Sequence, residues 1–533
     1  MTALLHDSPL SGVAARRSRW RISSGRLSVL VPALLAAALT AYRYDAKPFW
    51  RDEVYTLSTA GRSVGDMMGL LSERDAGLVG YYLIMQPWIA VSEASWWIRL
   101  PGAVATVVLV ALVAVLGRRF AGPWGGLVAG TVAALAPAVY LHGQEARPYP
   151  MALTAVVVTV LLLLRSTERP RAWIWPVAAT TALLAVLLHP LVTLPSVGAV
   201  FFAVWLRPGR ARRWALVLAA LPAGLVGAGL VVAGSMQAAE RPPAPATLPE
   251  YFTFWRLVAD VPWLGWAVLA LAVVGAVVLL RRGPTRDSGR EPHALVLVLW
   301  APMPVLAITT LGLMGGYFNQ RYASAALPAI AVLAAVALTA LPAAARRLAS
   351  RSARGERWAG WAAVTAVVVL LVSLVPAGVG FRQARAGFDD PAGAAQQIAA
   401  QAQPGDAVVY VGNVVRPMVE AYYPPGLAGS DRLTDALLVA SPEDSDTLGG
   451  LEVYRVVDKI AELAPHRRVW LVGSVATATG DLGRTTGNAR AVMRDRRLVS
   501  STDHNWLRVE LWETPEDDVT GASASQEPPG VAQ

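Results

Sequence analysis

Phe49-Trp50-Arg51-Asp52-Glu53 places two adjacent carboxylates directly after the first apolar segment of the chain. A carboxylate there can act as a general base toward a hydroxyl acceptor. By spacing alone the same pair could cap a loop helix beginning near Val54, because acids stabilise a first turn. Phe49, Trp50 and Tyr55 flank the pair as aromatics do at a membrane boundary. Two further polar stretches follow apolar runs. The first, His142-Gly143-Gln144-Glu145-Ala146-Arg147-Pro148-Tyr149, offers Arg147, whose paired donors suit a phosphate or an ion pair with the acidic loop. The second, Tyr317-Phe318-Asn319-Gln320-Arg321-Tyr322, offers Arg321. His189-Pro190 marks a turn between two apolar runs, where an ordinary interfacial role suffices. Arg99 opens an apolar run behind Trp96-Trp97, a pair that suits a membrane belt.

The elements that must carry these residues follow from composition. Of 533 residues, 55% are hydrophobic and only 16% charged, which excludes an ordinary soluble domain and gives a polytopic α-helical membrane protein. The net charge of +10 does not point to nucleic acid, because the arginines cluster between apolar runs rather than along one amphipathic face. With no Cys, disulfides and thiolate metal sites are excluded. Apolar segments at about 25–43, 95–117, 125–142, 150–165, 173–189, 190–206, 214–235, 262–280, 293–314, 322–342 and 358–377 predict about 11 transmembrane helices. With the N-terminus cytoplasmic, the arginine clusters at 16–26, 118–119, 165–171, 207–213, 281–290 and 346–357 all fall inside. Asp52, Arg147, His189 and Arg321 then all lie outside, and an external Arg against that charge bias argues for a specific role. A signal peptide is the alternative for the first segment, but its basic region is long and no small-x-small site follows.

This reading divides the chain into a cytoplasmic tail (1–24), a transmembrane domain (25–377), an extracytoplasmic α/β domain (378–514) and a disordered acidic tail (515–533). The long external loop 43–94 is expected to be structured, with Tyr81 to Ala94 a helix too short to cross and lying at the interface. In the loop from Gln237 to Pro262 the Pro-rich half reads as a flexible lid or cover. In the C-terminal part, helical patterns at 391–403 and 414–423 alternate with strand patterns at 407–411 and 468–472, and a last strand runs over 506–512. Gly412-Asn413 reads as a strand-to-helix turn rather than a phosphate loop, since no G-x-G-x-x-G is present.

Phe49-Trp50-Arg51-Asp52-Glu53-Val54-Tyr55, Arg99-Leu100-Pro101, Gln144-Glu145-Ala146-Arg147-Pro148-Tyr149, and Arg321-Tyr322 before a span containing Pro328 together resemble the bacterial branch of glycosyltransferase family 39. That branch is related to protein O-mannosyltransferases and to the aminoarabinose transferase of lipid A, all of the GT-C fold. The resemblance covers about residues 40–340, with a weaker likeness in the external domain. It implies inverting transfer of a sugar, mannose first among the candidates, from a polyprenyl-phosphate donor to an acceptor hydroxyl on the outer face of the cytoplasmic membrane. It also implies Asp52 as general base, Glu53 orienting the acceptor or loop, and Arg147 and Arg321 neutralising the departing phosphate with Tyr149 nearby. His189, Arg99 and Tyr322 are further candidates. The segment Asp75-Ala76-Gly77-Leu78-Val79-Gly80-Tyr81-Tyr82 lacks the His-Pro-Pro often found before the paired Tyr, which bears on contacts to the acceptor or donor sugar. No cofactor is specified, and divalent metal use differs among related enzymes. The acceptor could be glycan, lipid or protein. A transporter or flippase would instead need midplane charges and internal repeats, neither of which is evident. A non-catalytic envelope assembly protein would place the function in the α/β domain.

Overall fold

In a bilayer an apolar run of about 20 residues must satisfy every backbone polar group within itself, so it folds as an α-helix. The computed structural model describes residues 24–206, 210–240, 246–281, 294–314, 318–349, 353–375, 389–412, 414–427, 432–442, 444–445, 447–475 and 486–515. The predicted tails at 1–23 and 516–533, Asn413, Tyr317, and most of the arginine cluster at 281–290 lie outside these residues.

Among the described residues eight helices are long and apolar enough to cross a membrane: Ser24–Ala41, Ser95–Leu135, Tyr149–Glu168, Arg213–Gln237, Pro262–Arg281, Ala294–Leu313, Gln320–Leu348 and Arg354–Ser373. The first is α1. The 41-residue second, α5, is broken at Ala121 and Gly122, where Gly122 takes φ 71° and Pro123 follows, so it divides where the sequence separates two spans. Ile174–Leu188 (α8) and Pro190–Trp205 (α9) are apolar but shorter. Eleven crossings remain the reading of the charge pattern; the eight helices lie at nine of the eleven predicted spans, because α5 covers two, and the shorter α8 and α9 lie at the other two.

Between α1 and α5 lie Arg51–Ala60 (α2), Val64–Glu73 (α3) and Val79–Ile89 (α4), so the long loop is structured and α4 occupies much of the segment expected to be helical at 81–94. Trp97 does more than form a belt. It stacks on Trp88 at 4.2 Å, and each indole N–H donates to the other's backbone carbonyl at 2.9 Å, which fixes the corner between α4 and α5. Pro137–Tyr140 (α6) and a 3-10 turn, His142–Gln144, lead into Tyr149–Glu168 (α7). Arg210–Glu240 (α10) reaches back to the loop, where Gln237 donates to the Leu71 and Ser72 carbonyls at 2.9 and 3.0 Å. The loop that follows α10 is structured where described. Its 3-10 turns at Leu248–Phe252 and Phe254–Leu257 set Tyr251 and Phe254 against Phe318, at 4.5 and 5.8 Å.

Pro262–Arg281 (α11), Ala294–Trp300 (α12), Met303–Leu313 (α13), Leu327–Leu348 (α14) and Ala353–Ser373 (α15) complete the helical part. In α14 every residue from Leu327 to Leu338 is buried, and its alanines let neighbouring backbones approach. A Cβ on Gly275 of α11 would collide with the Leu333 carbonyl oxygen of α14.

Beyond residue 388 the chain builds a mixed five-stranded sheet in the order β2-β1-β5-β7-β6. Its strands are Asp406–Val411 (β1), Leu433–Asp435 (β2), Arg468–Ser474 (β5), Arg497–His504 (β6) and Leu507–Glu513 (β7), with Leu438–Ala440 (β3) and Leu451–Glu452 (β4) paired separately. β1 runs parallel to β2 and β5, whereas β7 is antiparallel to β5 and β6. β1 is buried along its whole length, as a central parallel strand must be. Gly412, at φ 113°, turns β1 toward the helix Val415–Glu420 (α17), which follows Pro391–Gln401 (α16). Residues of this α/β domain (Met418, Val419, Trp470) share one buried apolar cluster with Phe49, Val54 and Met67 of the loop. Arg62 adds bonds to the Pro442 and Thr447 carbonyls at 2.9 and 2.6 Å.

The α11–α14 contact makes the first prediction. Gly275→Ala should lower the thermal midpoint of the detergent-solubilised protein, with a loss of about 1–3 kcal/mol from overpacking. Gly229→Ala, where a Cβ meets nothing within 4 Å, should leave it unchanged or slightly raised.

Candidate functional site

The turn at 45–53 is organised by Arg99 and Glu53, each 1% exposed. Arg99 Nε and Nη2 donate to the two Glu53 carboxylate oxygens at 2.7 and 2.8 Å. The remaining guanidinium donors reach the Lys47 and Pro48 carbonyls at 3.0 and 3.1 Å, and the group lies over the Phe49 ring. Glu53 Oε1 also accepts from the Ala146 N–H at 2.9 Å, and Oε2 from the Trp50 N–H at 3.4 Å. Glu53 is thus committed to protein groups, a geometry that fits the orienting role rather than contact with an acceptor. Thr56, one turn later, donates to the Ala146 carbonyl at 3.0 Å. Gly102 permits this join, since a Cβ there would stand 3.0 Å from the Glu145 carbonyl oxygen.

Asp52, on the same turn of α2, has a different environment. Its Oδ2 lies 3.0 Å from Arg321 Nη1 and 3.8 Å from Arg147 Nη2, while Arg147 Nη1 donates to the Asp52 carbonyl at 3.2 Å. Burial pushes the Asp52 carboxyl up, but Arg147, Arg321 and Arg51 together outweigh it and hold it below the ordinary carboxylate range. One buried guanidinium, Arg147, and one partly buried, Arg321, against one carboxylate leave this cluster with a positive charge in excess.

A row of rings closes the far side. His142 stacks on Tyr149 at 4.2 Å, Tyr149 lies 5.2 Å from His189, and His189 lies 5.2 Å from Tyr322. His142 Nδ1 is 2.8 Å from Glu145 Oε2, which occupies that acid. Among the described residues Arg147 Nε, Arg321 Nε, Tyr149 Oη and His189 Nδ1 are buried with no hydrogen-bond partner. Each such group costs about 1–3 kcal/mol unless a ligand or solvent completes it, so four of them beside an excess positive charge suit an anion.

All eight residues proposed from sequence therefore belong to one connected region. Asp52, Arg147, Arg321, Tyr149, His189 and Tyr322 surround it, and Arg99 with Glu53 holds it from behind. The sequence reading missed Thr56 and the His142–Glu145 pair, although the latter's spacing of three residues was a signal. Among the described residues no three His, Asp or Glu side chains gather to hold a metal. A cavity of about 460 Å³ opens at the other end of α2, lined by Gly61, Arg62, Gln86 and Glu93, away from this cluster.

Comparison with known proteins bears on this architecture. A family profile described as dolichyl-phosphate-mannose-protein mannosyltransferase matches residues 75–235, a stretch that holds Arg99, Arg147, Tyr149 and His189 but neither Asp52 nor Arg321. The crystal structure of ArnT from Cupriavidus metallidurans in the apo state is similar at TM-score 0.56 and 15% identity, covering 92% of this chain and 98% of that one. The same protein bound to undecaprenyl phosphate gives 0.54 and 14%, over 91% and 97%. The Archaeoglobus fulgidus oligosaccharyltransferase in complex with Zn and sulfate gives 0.50 and 12%, over 89% and 72%. No curated protein matches the chain. The likeness extends over nearly the whole chain and establishes the expected GT-C fold, with its membrane helices and C-terminal strand-containing domain.

The two acids should separate experimentally. Glu53→Ala strands the Arg99 charge and should cost about 3–5 kcal/mol, read as a fall in thermal midpoint. Asp52→Asn keeps the shape and an acceptor, and should cost about 1–2 kcal/mol. The pH dependence has a definite sign. A carboxyl depressed on folding contributes stability above its unfolded value, about 3.9, and loses it as pH falls through the folded pKa. Wild type and Asp52→Asn should therefore show parallel stability from pH 7 to about pH 5 and converge only below about pH 4.

Proposed function

We propose that the protein is a membrane glycosyltransferase that moves a sugar, with inversion, from a polyprenyl-phosphate donor to an acceptor hydroxyl at the outer face of the cytoplasmic membrane. The observation that carries this reading is the Asp52 carboxylate set 3.0 and 3.8 Å from two guanidiniums whose Nε atoms remain without partners among the described residues. Arg147 and Arg321 take the donor phosphate through paired, charge-assisted bonds, with Tyr149 and His189 completing the pocket and Tyr322 bracing His189. Asp52 removes the acceptor proton. The acceptor oxygen attacks the anomeric carbon from the face opposite the phosphate, the bond from that carbon to the phosphate oxygen breaks, and its electron pair leaves with the lipid phosphate. The leaving group is already a good one, so positioning, deprotonation and charge stabilisation suffice.

The electrostatics give these steps an order. A carboxylate paired with two guanidiniums is a weak base. A donor phosphate competes for those guanidiniums, and Asp52, losing its partners while still buried, gains proton affinity. Donor binding thus precedes deprotonation. The undecaprenyl phosphate held by ArnT supports a polyprenyl donor, and the description of the matching family profile supports mannose.

In membranes supplied with labelled polyprenyl-phosphate sugars, Asp52→Asn should reduce transfer by about 10²-fold or more while the protein still inserts. Arg147→Ala and Arg321→Ala should weaken donor binding as well. Full activity in Asp52→Asn would remove the base assignment. Mass spectrometry of envelope glycans and lipid-linked sugars from a deletion strain would name the sugar and acceptor.

A further inference from the structure

The helix that carries Asp52 has only a partial cap of its own, in which Glu53 Oε2 accepts from the Trp50 N–H at 3.4 Å. Trp50 stands at the N-cap and its side chain makes no capping bond, although the first N–H groups of any helix need partners from outside it. The Glu53 and Val54 N–H groups reach the Trp50 carbonyl at 2.9 and 3.1 Å, which leaves the earlier ones. The α/β domain supplies acceptors both to this turn and to the residue that leads into it. Phe49 N–H donates to the Tyr422 hydroxyl at 2.5 Å, across 373 residues of sequence. The Asp389 carboxyl faces both the backbone N–H and the guanidinium of Arg51, the first residue of α2. Asp389 is itself fixed by a backbone bridge to Asn505 in the turn between β6 and β7, and Tyr422 follows α17, whose Met418 and Val419 share a buried cluster with Phe49 and Val54. Burial raises the Asp389 carboxyl, opposed by Arg51 and reinforced by Asp52, so this acid sits within electrostatic reach of the proposed base.

We infer that Asp389 and Tyr422 are positioning residues by which the C-terminal α/β domain caps the helix bearing Asp52 and sets its direction. The inference rests on the reading of Asp52 as general base. A first turn whose leading N–H groups lack acceptors frays, and Asp52 is the second residue of that turn. Fraying would move its carboxylate away from the acceptor without touching Arg147 or Arg321, so the domain supports the rate of transfer rather than donor binding.

The test uses the full-length protein in detergent with Asp389→Ala and Tyr422→Phe, singly and together. Amide exchange over residues 49–60 should accelerate about tenfold or more, while exchange over Tyr149–Glu168 stays unchanged and shows the fold intact. The kcat for transfer should fall about tenfold with the donor KM unchanged. Asp389→Asn and Asp389→Ser, which still accept at a helix N-terminus, should restore both readouts. Unchanged exchange at 49–60 would overturn the capping role. Faster exchange with unchanged kcat, or a kcat loss that Asn and Ser fail to rescue, would overturn the positioning role. A wild-type protein that transfers sugar from no polyprenyl-phosphate donor would instead defeat the proposed function, and the exchange data would still judge the caps.

Discussion

The buried pair of Arg99 and Glu53 is the constraint on which the rest of the site depends. A guanidinium and a carboxylate, each 1% exposed, are tolerated in an apolar setting only when nearly every donor and lone pair is used. Here the surplus donors of Arg99 go to the Lys47 and Pro48 carbonyls, and the surplus lone pair of Glu53 goes to the Ala146 N–H. One ion pair therefore ties the start of α5, the turn before α2 and the segment before α7 into a single unit. With Glu53 fixed, Asp52, the preceding residue of the helix, is set against Arg147 and Arg321.

The site then has two carboxylates in adjacent positions with opposite tasks, set by their surroundings rather than by their chemistry. Glu53 is enclosed by permanent partners. Asp52 is paired with guanidiniums that retain unused donors and that a phosphate can claim. Burial is the largest single influence on Asp52 and is opposed by those guanidiniums, so its basicity is poised against their occupancy. The ring row from His142 to Tyr322 gives this exchange a fixed wall.

What could be read from sequence follows from how far each interaction reaches along the chain. Asp52, Arg147 and Arg321 were legible because charge on the side that the arginine bias reads as external stands out against that bias. The break in α5 was legible from Arg118-Arg119 between two apolar runs, and β1 and β5 from their apolar runs. The edge strand β6, Arg-Leu-Val-Ser-Ser-Thr-Asp-His, was not, because its mostly exposed faces carry no clear alternation. β2, β3 and β4 are three residues or fewer and leave no pattern. The pairing of Arg99 with Glu53 and the contact of Tyr422 with Phe49 were equally hidden, since they depend on segments 46 and 373 residues apart being brought together.

The central claim is that Asp52 and the two arginines address opposite sides of one anomeric carbon. Its most direct test is a structure of the Asp52→Asn protein with an intact polyprenyl-phosphate sugar bound. The account predicts phosphate oxygens at about 2.7–2.9 Å from both the Arg147 and Arg321 guanidiniums. It also predicts the residue 52 side chain released from Arg321 and facing the sugar across space for an acceptor hydroxyl. A phosphate bound away from these arginines, or a residue 52 side chain on the leaving-group side of the sugar, would contradict it.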